Sequence, residues 1–165
     1  MCGITGFINL KKEPADFGIL KSMTDAIAHR GPNGEGHWIH ENVALGHRRL
    51  SIIDLSSGGH QPKLSSDQKF VLSYNGEIYN YKELRRELEG LGYQFNSNAD
   101  SEVVLYALAF WGEKALLRFN GMFALAFWDV SKKSLLIARD RYGIKPLYYA
   151  EQNDVFCFGS EQKAI

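Results

Sequence analysis

Apolar and polar positions alternate along this chain in stretches that predict a mixed set of strands and helices. Residues 2–9 are mostly apolar and predict an opening strand. Ile19, Leu20, Met23 and Ile27 recur at helical spacing and predict a helix over 17–28, broken by His29-Arg30-Gly31-Pro32-Asn33-Gly34. A hairpin is predicted from 36–40 and 43–49 around Glu41-Asn42, followed by a glycine-rich loop at 56–62. Residues 68–74 predict a strand that ends in a tight turn at Asn75-Gly76. Asn80 as N-cap, with Glu83 three residues on, opens a helix carrying Leu84, Leu88 and Leu91 on one face. A further helix over 101–111 turns Val104, Ala107, Leu108 and Trp111 inward.

The last third is strand-rich. Residues 122–130 and 134–138 form a hairpin pattern around Ser131-Lys132-Lys133, and strands at 147–150 and 155–159 follow. The segment Met122-Phe123-Ala124-Leu125-Ala126-Phe127-Trp128 is apolar on both faces, so it must be covered on both sides. Helices placed among hairpin-linked strands predict an α+β fold of layered antiparallel sheets with helices outside.

A chain of 165 residues is one ordinary domain with a real core. Lysine plus arginine equal aspartate plus glutamate, 19 against 19, which argues against nucleic acid or an anionic membrane as partner. No apolar run reaches the ~20 residues of a membrane-spanning helix, and no leader pattern opens the chain, so a cytoplasmic location is expected. The two cysteines, Cys2 and Cys157, form no framework or Cys-x-x-Cys pair; Cys157 is expected to be a small buried hydrophobe. Five scattered histidines offer no metal-ligand spacing, and no metal site is expected.

Cys2 is the most informative residue. Removal of Met1 would leave a thiol and a free α-amine on one residue, a nucleophile carrying its own base, and α-amines titrate near ~8. A chance cysteine beside the start is the plain alternative. Asn75-Gly76-Glu77 offers an amide and a backbone N–H that can donate together to one oxyanion, or it is simply a β-turn. Within Arg48-Arg49-Leu50, an arginine at a strand end can grip a carboxylate or lie solvated on the surface. Asp100 can hold a substrate ammonium or cap the helix that follows. Ser57-Gly58-Gly59-His60 resembles the start of a pyrophosphate loop, but Gln61 and Pro62 break the pattern. The charged turn Arg139-Asp140-Arg141-Tyr142-Gly143-Ile144-Lys145-Pro146 is either a salt-bridged loop or a partner surface.

Several segments in order carry a family resemblance. They are Met1-Cys2-Gly3-Ile4-x-Gly6, His29-Arg30-Gly31-Pro32, Arg49-Leu50-Ser51-Ile52-Ile53-Asp54, Gly59-His60-Gln61-Pro62 and Tyr74-Asn75-Gly76-Glu77-Ile78-Tyr79-Asn80. Asp100-Ser101-Glu102-Val103, Gly121-Met122-Phe123-Ala124, the Arg139 to Tyr149 stretch and Ser160-Glu161-x-Lys163-Ala164 continue the set. The chain resembles class II, N-terminal-nucleophile glutamine amidotransferase domains, and among them most resembles the N-terminal domain of glutamine-hydrolysing asparagine synthetases. That resemblance implies a four-layer αββα sandwich and the hydrolysis of glutamine's side-chain amide through a Cys2 thioester, releasing ammonia for transfer to aspartate. It implies Cys2 as nucleophile, Asn75 and Gly76 as oxyanion hole, Arg49 on the glutamine carboxylate, and Asp100 with Glu77 on its amine. Leu50, Ser51, Ile52 and Ile53 would line the glutamine pocket, and Arg30 would support the nucleophile's loop. ATP and Mg2+ would be needed only on a synthetase domain that this chain does not contain, and the domain itself would need no cofactor. Asn33 and Ala99 stand where the family commonly has Asp and Ser or Thr. The alternatives are a module that binds glutamine or a partner without turnover, or a redox-sensing thiol at Cys2.

Overall fold

The computed structural model describes residues 1–50 and 57–165. In chain order the elements are β1 (Gly3–Asn9), α1 (Phe17–Ala26), β2 (Gly34–His40), β3 (Val43–Arg49), β4 (Lys63–Leu64) and β5 (Phe70–Ile78). There follow α2 (Tyr81–Gly90), α3 (Asp100–Trp111), β6 (Gly121–Asp129), β7 (Ser134–Arg139), β8 (Tyr148–Gln152) and β9 (Val155–Gly159). One sheet runs β2-β3-β1-β9-β8 and the other β4-β5-β6-β7. The ladders between neighbouring strands are antiparallel.

The two-residue period of the strands sorts their side chains into layers. On β6, Phe123, Leu125 and Phe127 join α2 and α3 in one core, while Ala124, Ala126 and Trp128 face the other sheet. This explains why that strand is apolar on both faces. On the facing sheet, Ile4, Val43, Leu45 and Phe158 fill the space between the sheets. Phe7 and Ala44 turn outward onto Leu20 of α1. The order is therefore α1, sheet, sheet, α2 with α3: the αββα sandwich.

Some local expectations fail for identifiable reasons. Asn75-Gly76 is not a turn; β5 runs on to Ile78, paired with β6 throughout. Asn80 sits at the start of α2 but does not cap it: its Nδ2 donates to Arg118 O at 3.0 Å and its Oδ1 accepts from Asn120 N at 3.0 Å. Tertiary partners have outbid the local cap. Ile19 and Leu91 are exposed, and Cys157 is only half-buried beside the edge strand β8. The Arg139 loop is organised by main-chain bonds rather than ion pairs. Asp140 accepts from the N–H groups of Phe123, Tyr142, Ile144 and Lys145 at 2.9–3.2 Å. Among the described residues, no helix is long and apolar enough to cross a membrane.

Candidate active site

Cys2 leads directly into β1, and the same alternation that puts Ile4 between the sheets puts Cys2 there, at one end of the sandwich. Its Sγ accepts from Leu50 N at 3.3 Å, at the end of β3. Its carbonyl accepts from Arg30 Nε at 3.0 Å. Of the two adjacent arginines, Arg48 turns toward α1 and pairs with Asp25 and Glu35. Arg49 is on the opposite face and lines the cavity beside Cys2.

The second sheet approaches from across the gap. Ser73 Oγ donates to Gly46 O at 2.9 Å, which fixes the odd residues of β5 on the inter-sheet face. Asn75 and Glu77 follow Ser73 on that face. Asn75 is 2% exposed, and among the described residues its Nδ2 has no hydrogen-bond partner. An unsatisfied buried donor costs about 1–3 kcal/mol, so one that lines a cavity points to a ligand that completes it.

Gly76 supplies a second donor by register. Tyr74 N donates to Gln61 Oε1 and Ile78 N donates to Asp100 Oδ2, so the N–H groups of the even residues leave the β5–β6 ladder on its far edge. Opposite Gly76, Phe123 bonds away from β5, to Asp140. The Gly76 N–H therefore points out of the ladder, between Tyr74 and Ile78. A Cβ at Gly76 would stand 2.5 Å from Met122 O and 2.8 Å from Phe123 Cβ, so only glycine fits.

Asp100 opens α3 without capping it. Its Oδ2 accepts from Tyr74 Oη at 2.8 Å and from Ile78 N at 3.1 Å. Burial raises its carboxyl above the ordinary carboxylate range, although both hydrogen bonds act the other way. Burial, reinforced by the Asp100 charge, likewise holds the Tyr74 phenol well above its usual value. Behind Tyr74, His47 is fully buried, and its Nε2 donates to Tyr74 O at 3.1 Å. Burial pushes that imidazole down to about 3, so it is neutral.

Beside Tyr74 lies one cavity of about 130 Å³. Cys2, Arg49, Leu50, Asn75, Gly76, Glu77 and Asp100 all reach it. Ser51, Ile52 and Ile53 lie outside the described residues. A thiol, a pair of donors on the facing sheet, the Arg49 guanidinium and two carboxylates form a set suited to acyl transfer from a zwitterionic amide. The whole chain, residues 1–165, matches the family of the glutamine amidotransferase domain. The chain belongs to that family.

The amidotransferase domain is 44% identical to asparagine synthetase [glutamine-hydrolyzing] 1 of Bacillus subtilis (strain 168), covering 100% of this chain and 26% of the relative. It is 38% identical to asparagine synthetase B [glutamine-hydrolyzing] of Escherichia coli (strain K12), covering 100% of this chain and 30% of that protein. A third relative, at 37% identity, is "Amidase chry2" of Gibberella zeae, covering 100% of this chain and 26% of the relative. The chain thus spans only about a quarter to a third of the curated relatives it matches. Among solved structures, the glutamine phosphoribosylpyrophosphate amidotransferase of B. subtilis, complexed with ADP and GMP, superposes with a TM-score of 0.82 at 20% identity. The match covers 99% of this chain and 42% of that one. The likeness shows that the two chains share the sandwich fold.

Tyr74, Gln61 and Lys145 also line the cavity, with no role assigned to them from sequence. Tyr74 anchors Asp100, and Gln61 holds the Tyr74 backbone. Lys145 is 7% exposed, with its Nζ 3.6 Å from Met1 Sδ. Gln61 and Lys145 stand in segments that carried the family resemblance without an assigned role; their part depends on long-range packing that periodicity does not register.

Proposed function

We propose that this amidotransferase domain hydrolyses the side-chain amide of glutamine to glutamate and ammonia. The observation that carries the reading is Asn75, which lines the same cavity as Cys2 and whose buried Nδ2 has no hydrogen-bond partner among the described residues. With Met1 removed, the α-amine of Cys2 takes the thiol proton. The sulfur attacks the amide carbon, and the carbonyl electron pair moves onto oxygen. Asn75 Nδ2 and the Gly76 N–H stabilise that oxyanion. The α-ammonium then gives its proton to the leaving nitrogen, the C–N bond breaks, and a γ-glutamyl thioester remains on Cys2. Water, deprotonated by the same amine, adds to the thioester; the sulfur leaves and glutamate is released.

Arg49 pairs with the substrate α-carboxylate, and Asp100 with Glu77 accepts from its α-ammonium. A site that pairs both charges rejects analogues lacking either, because its polar groups would be left unpaired. In a longer protein like the relatives, the ammonia passes to an aspartate activated with ATP and Mg2+ on a separate synthetase domain. The test is glutamate release by protein whose Met1 removal is verified by mass, beside Cys2→Ala. Release by the parent and none by the variant is expected; equal release would overturn the mechanism.

A further inference from the structure

The segment after β9 folds back onto the start of the chain. Ser160 N donates to Ile4 O at 2.9 Å and Ile4 N donates to Ser160 Oγ at 2.9 Å, which extends the β1–β9 pairing toward Cys2. The next residue, Glu161, collects cations. Its Oε1 accepts from Arg30 Nη1 at 2.9 Å and stands 2.9 Å from His29 Nε2, while Lys163 Nζ lies 3.3 Å from Oε2. The Arg30 bond is the main cause holding the Glu161 carboxyl down at about 2, so it is charged throughout the working range. Arg30 in turn spans from Glu161 to the Cys2 carbonyl.

The route is built for that reach. Arg30 is 9% exposed in its side chain and lies across Gly3. A Cβ on Gly3 would stand 3.2 Å from Arg30 Cδ and 2.8 Å from Ile27 Cδ1, so glycine keeps the passage open. The guanidinium geometry is rigid, so anchoring one edge on Glu161 fixes where the other edge points.

We propose that Glu161 is a positioning residue for the nucleophile: through Arg30 it fixes the Cys2 main chain, and with it the aim of Sγ across the cavity. The inference rests on the reading of Cys2 as the attacking residue. It gives Glu161, near the far end of the sequence, a part in the chemistry of residue 2.

The test compares Met1-free parent with Glu161→Ala, Glu161→Gln and Lys163→Ala, in glutamine kinetics and in backbone NMR relaxation. Glu161→Ala is expected to lower kcat by roughly tenfold to a hundredfold, the scale of a 1 Å misplacement, with KM within about threefold. The Gly3 amide order parameter is expected to fall from about 0.85 toward 0.6, with that of Leu125 unchanged. Glu161→Gln, which keeps an acceptor for Arg30, should give smaller changes in the same direction and carries the test if the alanine variant does not fold. Lys163→Ala should stay within about twofold of the parent. Overturning results are kcat within twofold in Glu161→Ala, or an unchanged Gly3 amide. If the parent itself turns over no glutamine, the functional reading fails, and the Gly3 measurement still decides whether Glu161 fixes the start of the chain.

Discussion

The side-chain amide of Gln61 satisfies both backbone groups of Tyr74: Oε1 accepts from Tyr74 N at 2.7 Å and Nε2 donates to Tyr74 O at 3.0 Å. Gln61 thus acts as one more peptide unit at the open edge of β5, where β4 pairs only with Val71 and Leu72. It holds β5 straight just before the two proposed oxyanion donors. Gln61→Ala leaves the buried Tyr74 N–H without this acceptor. A loss of about 1–3 kcal/mol in urea unfolding is expected, together with a lower kcat. An unchanged midpoint would show that the edge needs no such support.

Asn75→Ala separates function from stability. The parent buries an amide nitrogen with no partner among the described residues, so its removal should cost little folding free energy. If that nitrogen meets the oxyanion, kcat should drop by about 10²- to 10³-fold. Thermal denaturation and glutamate release on the same sample check both halves.

Gly76→Ala should fail in both respects. The added methyl would press against Met122 O and Phe123 Cβ, both held in the β5–β6 ladder. Overpacking of this kind costs about 1–3 kcal/mol, and the shift would re-aim the N–H. The check is a lower unfolding midpoint together with lost turnover.

The acid limb of glutamine binding should report Asp100. Burial raises its carboxyl, so it takes up a proton at a higher pH than an ordinary aspartate, near ~3.9, would. Protonation removes the partner of the substrate ammonium. KM is expected to rise as pH falls, beginning above the ordinary carboxylate range. Tyr74→Phe deletes a bond that favours the charged form and should move the rise to still higher pH. Steady-state KM followed as pH is lowered from neutrality, for the parent beside Tyr74→Phe, checks the direction.

His47 should set part of the stability profile. Its folded value, about 3, lies below its ordinary 6.5, so the unfolded chain protonates first. The stabilisation is complete above 6.5 and is lost as pH falls toward 3, with a slope approaching one proton, about 1.4 kcal/mol per pH unit. Urea midpoints from pH 7 to 5 should fall for the parent and fall less for His47→Gln.

Apolar periods made layered antiparallel sheets with outer helices legible, whereas the four-layer αββα order was implied only by the family resemblance. The doubly apolar stretch of β6 demanded cover on both faces, and the structure supplies it with a sheet and two helices. The candidate site was legible through its chemistry-bearing types at Cys2, Arg49, Asn75 and Asp100. What stayed hidden were contacts set by register and distance along the chain. Asn75-Gly76 has the local signature of a turn, yet β6 draws it into a strand. Asn80 has the signature of a cap, yet Arg118 and Asn120 claim its amide. No local pattern foretells that Glu161 reaches Arg30 across 131 residues of chain.

The most direct measurement is rapid-quench mass spectrometry of Met1-free protein mixed with glutamine. The account predicts a transient species with the mass of the protein plus glutamine minus ammonia, with the adduct mapped to the N-terminal peptide carrying Cys2 and missing from Cys2→Ala. Steady glutamate release with no such species, continuing undiminished in Cys2→Ala, would contradict it.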